Sequence, residues 1–213
     1  TQSRSSAASD VYKRQHESGL FRGEMNSVDT QAIKLMQQTR QLLYEAPVEP
    51  KNVIVPPFLP DTFEVRKDIA RAYNNIYILD IEVKEIIDQL KRDNILEDTI
   101  IIFTSDNGDG LPRYKRELFD SGINVPFLIL VPKKFSTWRK PGEKNYDLVS
   151  FLDIAPTVLD LAGVSIPSYM DGKSIFGSEK NEYIFAARDR LDSFKGKTRA
   201  VRNKDYKLSL IHI

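Results

Sequence analysis

The chain has 213 residues, 41% hydrophobic and 29% charged, with 31 basic against 30 acidic side chains and a formal net charge of +1. That suits one fair-sized globular domain or a large piece of a bigger one, and the even charge argues against a nucleic-acid or membrane-surface binder held by bulk charge. With no cysteine, disulfides, thiolate zinc sites and a cysteine nucleophile are excluded within these residues, and no apolar run reaches the length of a membrane span.

Residues 1–15, "TQSRSSAASDVYKRQ", are polar and aperiodic and read as a non-native or disordered tail, and "LSLIHI" at 208–213 reads as a non-native tail, with a short terminal strand as the alternative. No signal-peptide pattern opens the chain, and the tail reading leaves its location open. In 29–46, Ile33, Met36, Leu42 and Leu43 fall near helical spacing with Asp29 or Thr30 as N-cap, and Pro47 and Pro50 stop the helix. "VIVPPFLPD" is then a proline-stiffened connector. Asp61 or Thr62 caps the longest helix. Its apolar face runs through Val65, Ile69, Ala72, Ile76, Leu79, Val83, Ile86 and Leu90, and Asn94 ends it. Asp80, set among apolar neighbours, reads as a buried, hydrogen-bonded carboxylate.

"TIIIFT" (99–104) and "PFLILVP" (126–132) are continuous apolar runs and read as central strands of a buried sheet, with the long helix packed on it. Residues 147–163 read as a helix with Pro156 in its first turn and Gly163 as the C-terminal stop. Tyr183–Ala187 and Thr198–Lys207 alternate like strands of a small antiparallel sheet. Asp189 and Arg190 sit where they reach a substrate or form salt bridges in that sheet. Trp138 belongs to a surface loop. The pattern is α/β, and such sheets bind ligands beyond the carboxyl ends of their strands.

Asp106 and Asn107 stand at such an end. A carboxylate and an amide carbonyl are hard oxygen donors of the kind Ca²⁺ and Mg²⁺ take, and Gly108 lets the backbone turn between them. Lys115 in the following loop brings a cation to any anionic substrate held there. Asp-Asn-Gly alone is also ordinary turn chemistry.

The wider stretch "IIIFTSDNGDGLPRYKRELFDSGINVPFLILVP" resembles the sulfatase family of the alkaline-phosphatase-like superfamily. The matching parts are Thr104 to Gly108, Lys115, and Phe119, Gly122, Val125 and Pro126. "LVSFLDIAPTVLDLAGVSIPSYMDGKSIFG" resembles the family's following segment, and the likeness runs from about His16 to Lys207. Within the family it is most similar to sulfamidase-like members acting on sulfated sugars such as glycosaminoglycans. The resemblance implies an α/β fold: the C-terminal part of a sulfatase sheet flanked by helices over 16–177, then a small antiparallel subdomain over 178–207.

It implies further that Asp106 and Asn107 are Ca²⁺ ligands, that Lys115 contacts sulfate oxygens, and that His16 protonates the leaving group. An exposed histidine stays open as the other reading of His16. The implied reaction is hydrolysis of sulfate esters or sulfamates, on a sulfated carbohydrate or other sulfated small molecule, by a formylglycine nucleophile. The C/S-x-P-x-R pattern that yields formylglycine is not in these residues, nor is the family's N-terminal pair of Asp ligands. The expectation is therefore a truncated enzyme, inactive as it stands and, by resemblance, periplasmic, extracellular or lysosomal. The alternatives are a phosphodiesterase or phosphotransferase of the same superfamily and a non-catalytic module that binds sulfated glycans.

Overall fold

The computed structural model describes residues 47–135, 142–189 and 196–210. The helix expected over 29–46, and His16, Trp138 and Arg190, lie outside the described residues. The chain divides into two compact units, one reaching Thr99 and including 109–111, the other formed by 100–108 and the residues from Pro112 on.

The first unit is built on α1, Phe63–Arg92. Thr62 is the cap, its hydroxyl accepting from the Val65 amide at 3.3 Å. Asp61 instead forms a two-pronged pair with Arg66. The helix ends as expected at Asn94, whose φ of 56° places it in the left-handed region. The amides of Asn94 and Ile95 return to the carbonyls of Lys91 and Leu90, a Schellman closure. The connector is tied to the helix by side chains that replace missing backbone partners. Asn74 exchanges two hydrogen bonds with the backbone of Val48, at 2.9 and 3.0 Å, and Arg66 donates to the Val53 carbonyl at 3.1 Å.

The buried residues of α1 are Ile69, Ala70, Ala72, Ile78, Leu79 and Glu82. Ile76, expected on the apolar face, is 56% exposed. Asp80 is exposed too; the buried carboxylate of this helix is Glu82. The reason is angular: Glu82 follows Leu79 by three residues and shares its face, whereas Asp80 is turned about 100° away. No helix among the described residues is long and apolar enough to cross a membrane.

In the second unit, β1 (Ile101–Thr104) and β2 (Phe127–Leu130) pair antiparallel, Ile101 opposite Leu130 and Thr104 opposite Phe127. They are neighbours as expected, but among the described residues neither has a strand on its other side, so the central-strand expectation is not met there. They form a two-stranded ribbon in which β1 is half-buried throughout and Leu128 and Leu130 of β2 are 57% and 50% exposed. A continuous apolar run fits burial on both faces but does not itself supply the flanking strands. Between them lies one helical turn, α2 (Asp120–Ile123).

The expected helix over 147–163 is shorter, with a 3₁₀ turn at Phe151–Asp153 leading into α3, Ile154–Leu161. Ser150 and Asp153 form a reciprocal capping box. Gly163, at φ 68°, closes the other end, with the Val164 amide on the Leu159 carbonyl. Asp153 is 2% exposed. Its carboxylate accepts from the Ser150 amide at 2.8 Å, the Lys173 amide at 2.9 Å and the Asn181 side chain at 2.7 Å. Thr157, fully buried, accepts from the Ile175 amide at 3.0 Å. These bonds join the D-I-A-P-T segment to D-G-K-S and show its aspartate to be structural. Asp153→Ala leaves buried donors without partners, which costs about 1–3 kcal/mol each. Its thermal midpoint is expected to fall by roughly 6 °C or more; a midpoint within about 2 °C of the parent would refute this role.

The last element is an antiparallel sheet of β3 (Ile184–Arg188), β4 (Thr198–Arg202) and β5 (Lys207–Leu210). Leu208, Ser209 and Leu210 pair with Val201, Ala200 and Arg199, so for these three residues the terminal-strand reading holds in place of the tail, while 211–213 lie outside the described residues. Strand pairing is made by backbone, and an alternating apolar segment next to β4 satisfies it. Asp189 pairs with Arg199 at 2.6 Å, the salt-bridging role of the two expected for it.

Candidate active site

β1 ends at Thr104 and delivers Ser105, Asp106, Asn107 and Gly108 into a turn. The Ser105 hydroxyl donates to the Asn107 carbonyl at 2.8 Å and closes that turn. Asp106 is exposed and Asn107 half-buried. The amide of Gly108 then donates to the carbonyl of Gly122 at 3.0 Å. A methyl group on Gly108 would overlap the Ser121 carbonyl, and one on Gly122 would overlap the carbonyls of Tyr114 and Glu117. Backbone meets backbone here, and only glycine allows that approach. The oxygen-bearing turn and the base of the Lys115 loop are thus joined at one point.

The loop itself is held in an uncommon shape. Arg113 and Arg116, on either side of Tyr114 and Lys115, have φ of 68° and 70°. Non-glycine residues in the left-handed region are uncommon, costing about 1–2 kcal/mol each, and persist where surroundings over-determine them. The Ser121 hydroxyl donates to the Arg113 carbonyl, the Glu117 amide to the Tyr114 carbonyl at 3.3 Å, and the Arg113 guanidinium lies 5.5 Å from the Phe119 ring centre. Lys115 is half-buried and, among the described residues, makes no hydrogen bond or ion pair.

Three residues that sequence reasoning did not single out bond to the segment following Lys115. Arg188 donates to the Arg116 carbonyl at 3.1 Å and to the Glu117 carboxylate at 2.6 Å. Arg202 grips both oxygens of Asp120 at 2.8 Å, and Lys207 reaches Asp120 at 2.5 Å and the Leu118 carbonyl at 3.1 Å. The Lys207 ammonium, then the Arg202 guanidinium, hold the Asp120 carboxyl below the usual carboxylate range. Strand alternation places all three cations on one face of the sheet; sequence alone does not say what that face meets.

Among the described residues no group of three or more His, Cys, Asp and Glu side chains gathers as for a metal ion. Asp106 and Asn107 are donors of the hardness Ca²⁺ prefers, and they supply two of the roughly six to eight oxygens it takes. The set fits such an ion in kind but does not complete its shell.

Residues 7–164 match the Sulfatase family. The chain belongs to the sulfatase family. An ulvan-active sulfatase of Formosa agariphila is 42% identical over 156 residues, covering 72% of this chain and 26% of that protein. The human N-sulphoglucosamine sulphohydrolase is 36% identical over 131 residues, covering 62% and 25%. The chain therefore spans about a quarter of the length of these curated relatives. A sulfatase-like protein of Bacteroides fragilis shares the fold, with a TM-score of 0.64 at 18% identity over 97% of this chain and 48% of that one. A phosphonate monoester hydrolase of Silicibacter pomeroyi shares it too, with a TM-score of 0.61 at 23% identity over 76% of this chain and 37% of that one. In this sulfatase-family chain, the resemblance seen in T-S-D-N-G and its lysine loop coincides with the place where the two segments meet.

Proposed function

We propose that this chain supplies part of the active site of a sulfatase that hydrolyses sulfate esters or sulfamates of sulfated sugars. The observation that carries the reading is the Gly108–Gly122 contact, which ties two oxygen donors to the base of a lysine loop in a chain of the sulfatase family. The names of the two relatives, one ulvan-active and one a sulphohydrolase of N-sulphoglucosamine, support a sulfated-sugar substrate.

Asp106 and Asn107 would hold Ca²⁺, which when bound supplies positive charge to the sulfuryl oxygens. Lys115 sets an ammonium against the same anionic group, in a loop shaped before substrate arrives, so charge developing there meets a preorganised cation. His16 donates the proton that the departing alcohol or amine needs, a task suited to a group titrating near neutrality. The nucleophile, expected to be formylglycine, and the remaining ligands come from residues beyond this chain.

The 213-residue chain alone is accordingly expected to bind Ca²⁺ weakly and to leave an aryl sulfate unhydrolysed. Turnover by the purified chain would overturn this division of the site. The phosphonate hydrolase's shared fold supports a phosphate-processing enzyme as second reading. The longer reading frame containing this chain separates the two when assayed on N- and O-sulfated glucosamine and on a phosphonate monoester. Turnover confined to the phosphonate favours the second reading.

A further inference from the structure

The basic face of the β3–β5 sheet has a construction that fold stability does not explain. Arg202 and Lys207 stand directly opposite each other across β4 and β5. Like charges in that position repel unless an anion lies between them. Asp120, the first residue of α2, is that anion. Arg188, two residues along β3 from Ala186 and on the same face, reaches the other end of the loop at Arg116 and Glu117. Its Nε is buried with no hydrogen-bond partner among the described residues, a desolvation cost that takes back part of what the pair contributes. The Asp120 side chain is 51% exposed, and exposed pairs of this kind add little to stability. All three cations bond to one segment, Arg116 to Asp120. That segment leads directly from Lys115, between the left-handed Arg116 and the glycine contact at Gly122.

We propose that Arg188, Arg202 and Lys207 are positioning residues: the C-terminal sheet holds the Lys115 loop in its working shape through Glu117, the Leu118 carbonyl and Asp120. This rests on the reading of Lys115 given above. The clamp has a built-in acid limit. Asp120 is held below the ordinary carboxylate value of 3.8; its contribution is therefore fully present above that value and is lost as pH falls through the lower folded one.

The test has two arms. In the 213-residue chain, hydrogen exchange is followed by mass spectrometry in Arg188→Met, Arg188→Lys and Arg202→Met. Residues 112–119 are expected to exchange several-fold faster in the Met variants, with β1 and β4 unchanged and partial recovery in Arg188→Lys. Unchanged loop exchange, or faster exchange in every element together, overturns the proposal. In the longer enzyme, Arg188→Met is expected to lower kcat up to roughly 10²-fold with little change in KM, and to lower it no further when Lys115→Ala is already present. A loosened loop with unchanged kcat, in an enzyme that Lys115→Ala disables, overturns the positioning role. A harmless Lys115→Ala is a different failure: it removes the reading of Lys115 itself, and the single variant shows it before Arg188 is touched.

Discussion

Replacing Lys115 by alanine in the longer enzyme is expected to lower kcat on a sulfated sugar by on the order of 10²–10³, with the thermal midpoint within about 2 °C of the parent. The structure separates the two effects. Lys115 makes no hydrogen bond or ion pair among the described residues, so truncation breaks no polar contact there and loses only the packing of a half-buried stem. On the function proposed above, what disappears is a cation offered to the anionic group in a loop already fixed at both ends. Lys115→Arg keeps the charge but moves it to a planar fork, so it is expected to recover only part of the lost turnover. Paired kcat and melting measurements on the three proteins decide the matter. Near-normal turnover in Lys115→Ala, or loss that tracks unfolding, makes Lys115 an ordinary surface lysine.

Gly122→Ala is expected to damage the same site by a different route. Its new methyl group would overlap the carbonyls of Tyr114 and Glu117, and these are backbone atoms, so relief requires moving the loop. Overpacking of this kind costs roughly 1–3 kcal/mol, and a displacement of about 1 Å at a reacting group costs roughly 10²-fold in rate. Gly108→Ala presses on the Ser121 carbonyl from the facing side and should behave alike. Gly177→Ala is the control, because the nearest atom to its new methyl is the Ser174 carbonyl oxygen at 3.2 Å, away from this loop. Equal losses of midpoint and turnover in all three variants would show that the Gly108–Gly122 approach has no special part in the site.

Of the residues that sequence reading chose for chemistry, Asp106, Asn107 and Lys115 lie at one strand end and in its adjoining loop, and His16 lies outside the described residues. The first three were legible because a family of ordered motifs surrounds them, and because an apolar run ending in oxygen donors marks a strand end. The helix boundaries at Thr62 and Asn94 were legible for a local reason: caps depend on the few residues beside them. The buried set of α1 was only partly so. Ile76 is exposed and Glu82 buried, since which of two neighbouring helical stripes faces inward depends on what packs there.

Sequence by itself determined the α/β character, the strand–turn–lysine order of the candidate site, and membership of the sulfatase family. Tertiary structure alone decided that Gly108 and Gly122 touch, that Asp153 is a buried latch, and that Arg188, Arg202 and Lys207 grip the loop. These contacts join residues far apart in the chain, such as Lys207 and Leu118. Local propensity and periodicity describe only neighbours along the chain, so a cation's place on a strand face predicts its direction but not the loop it meets.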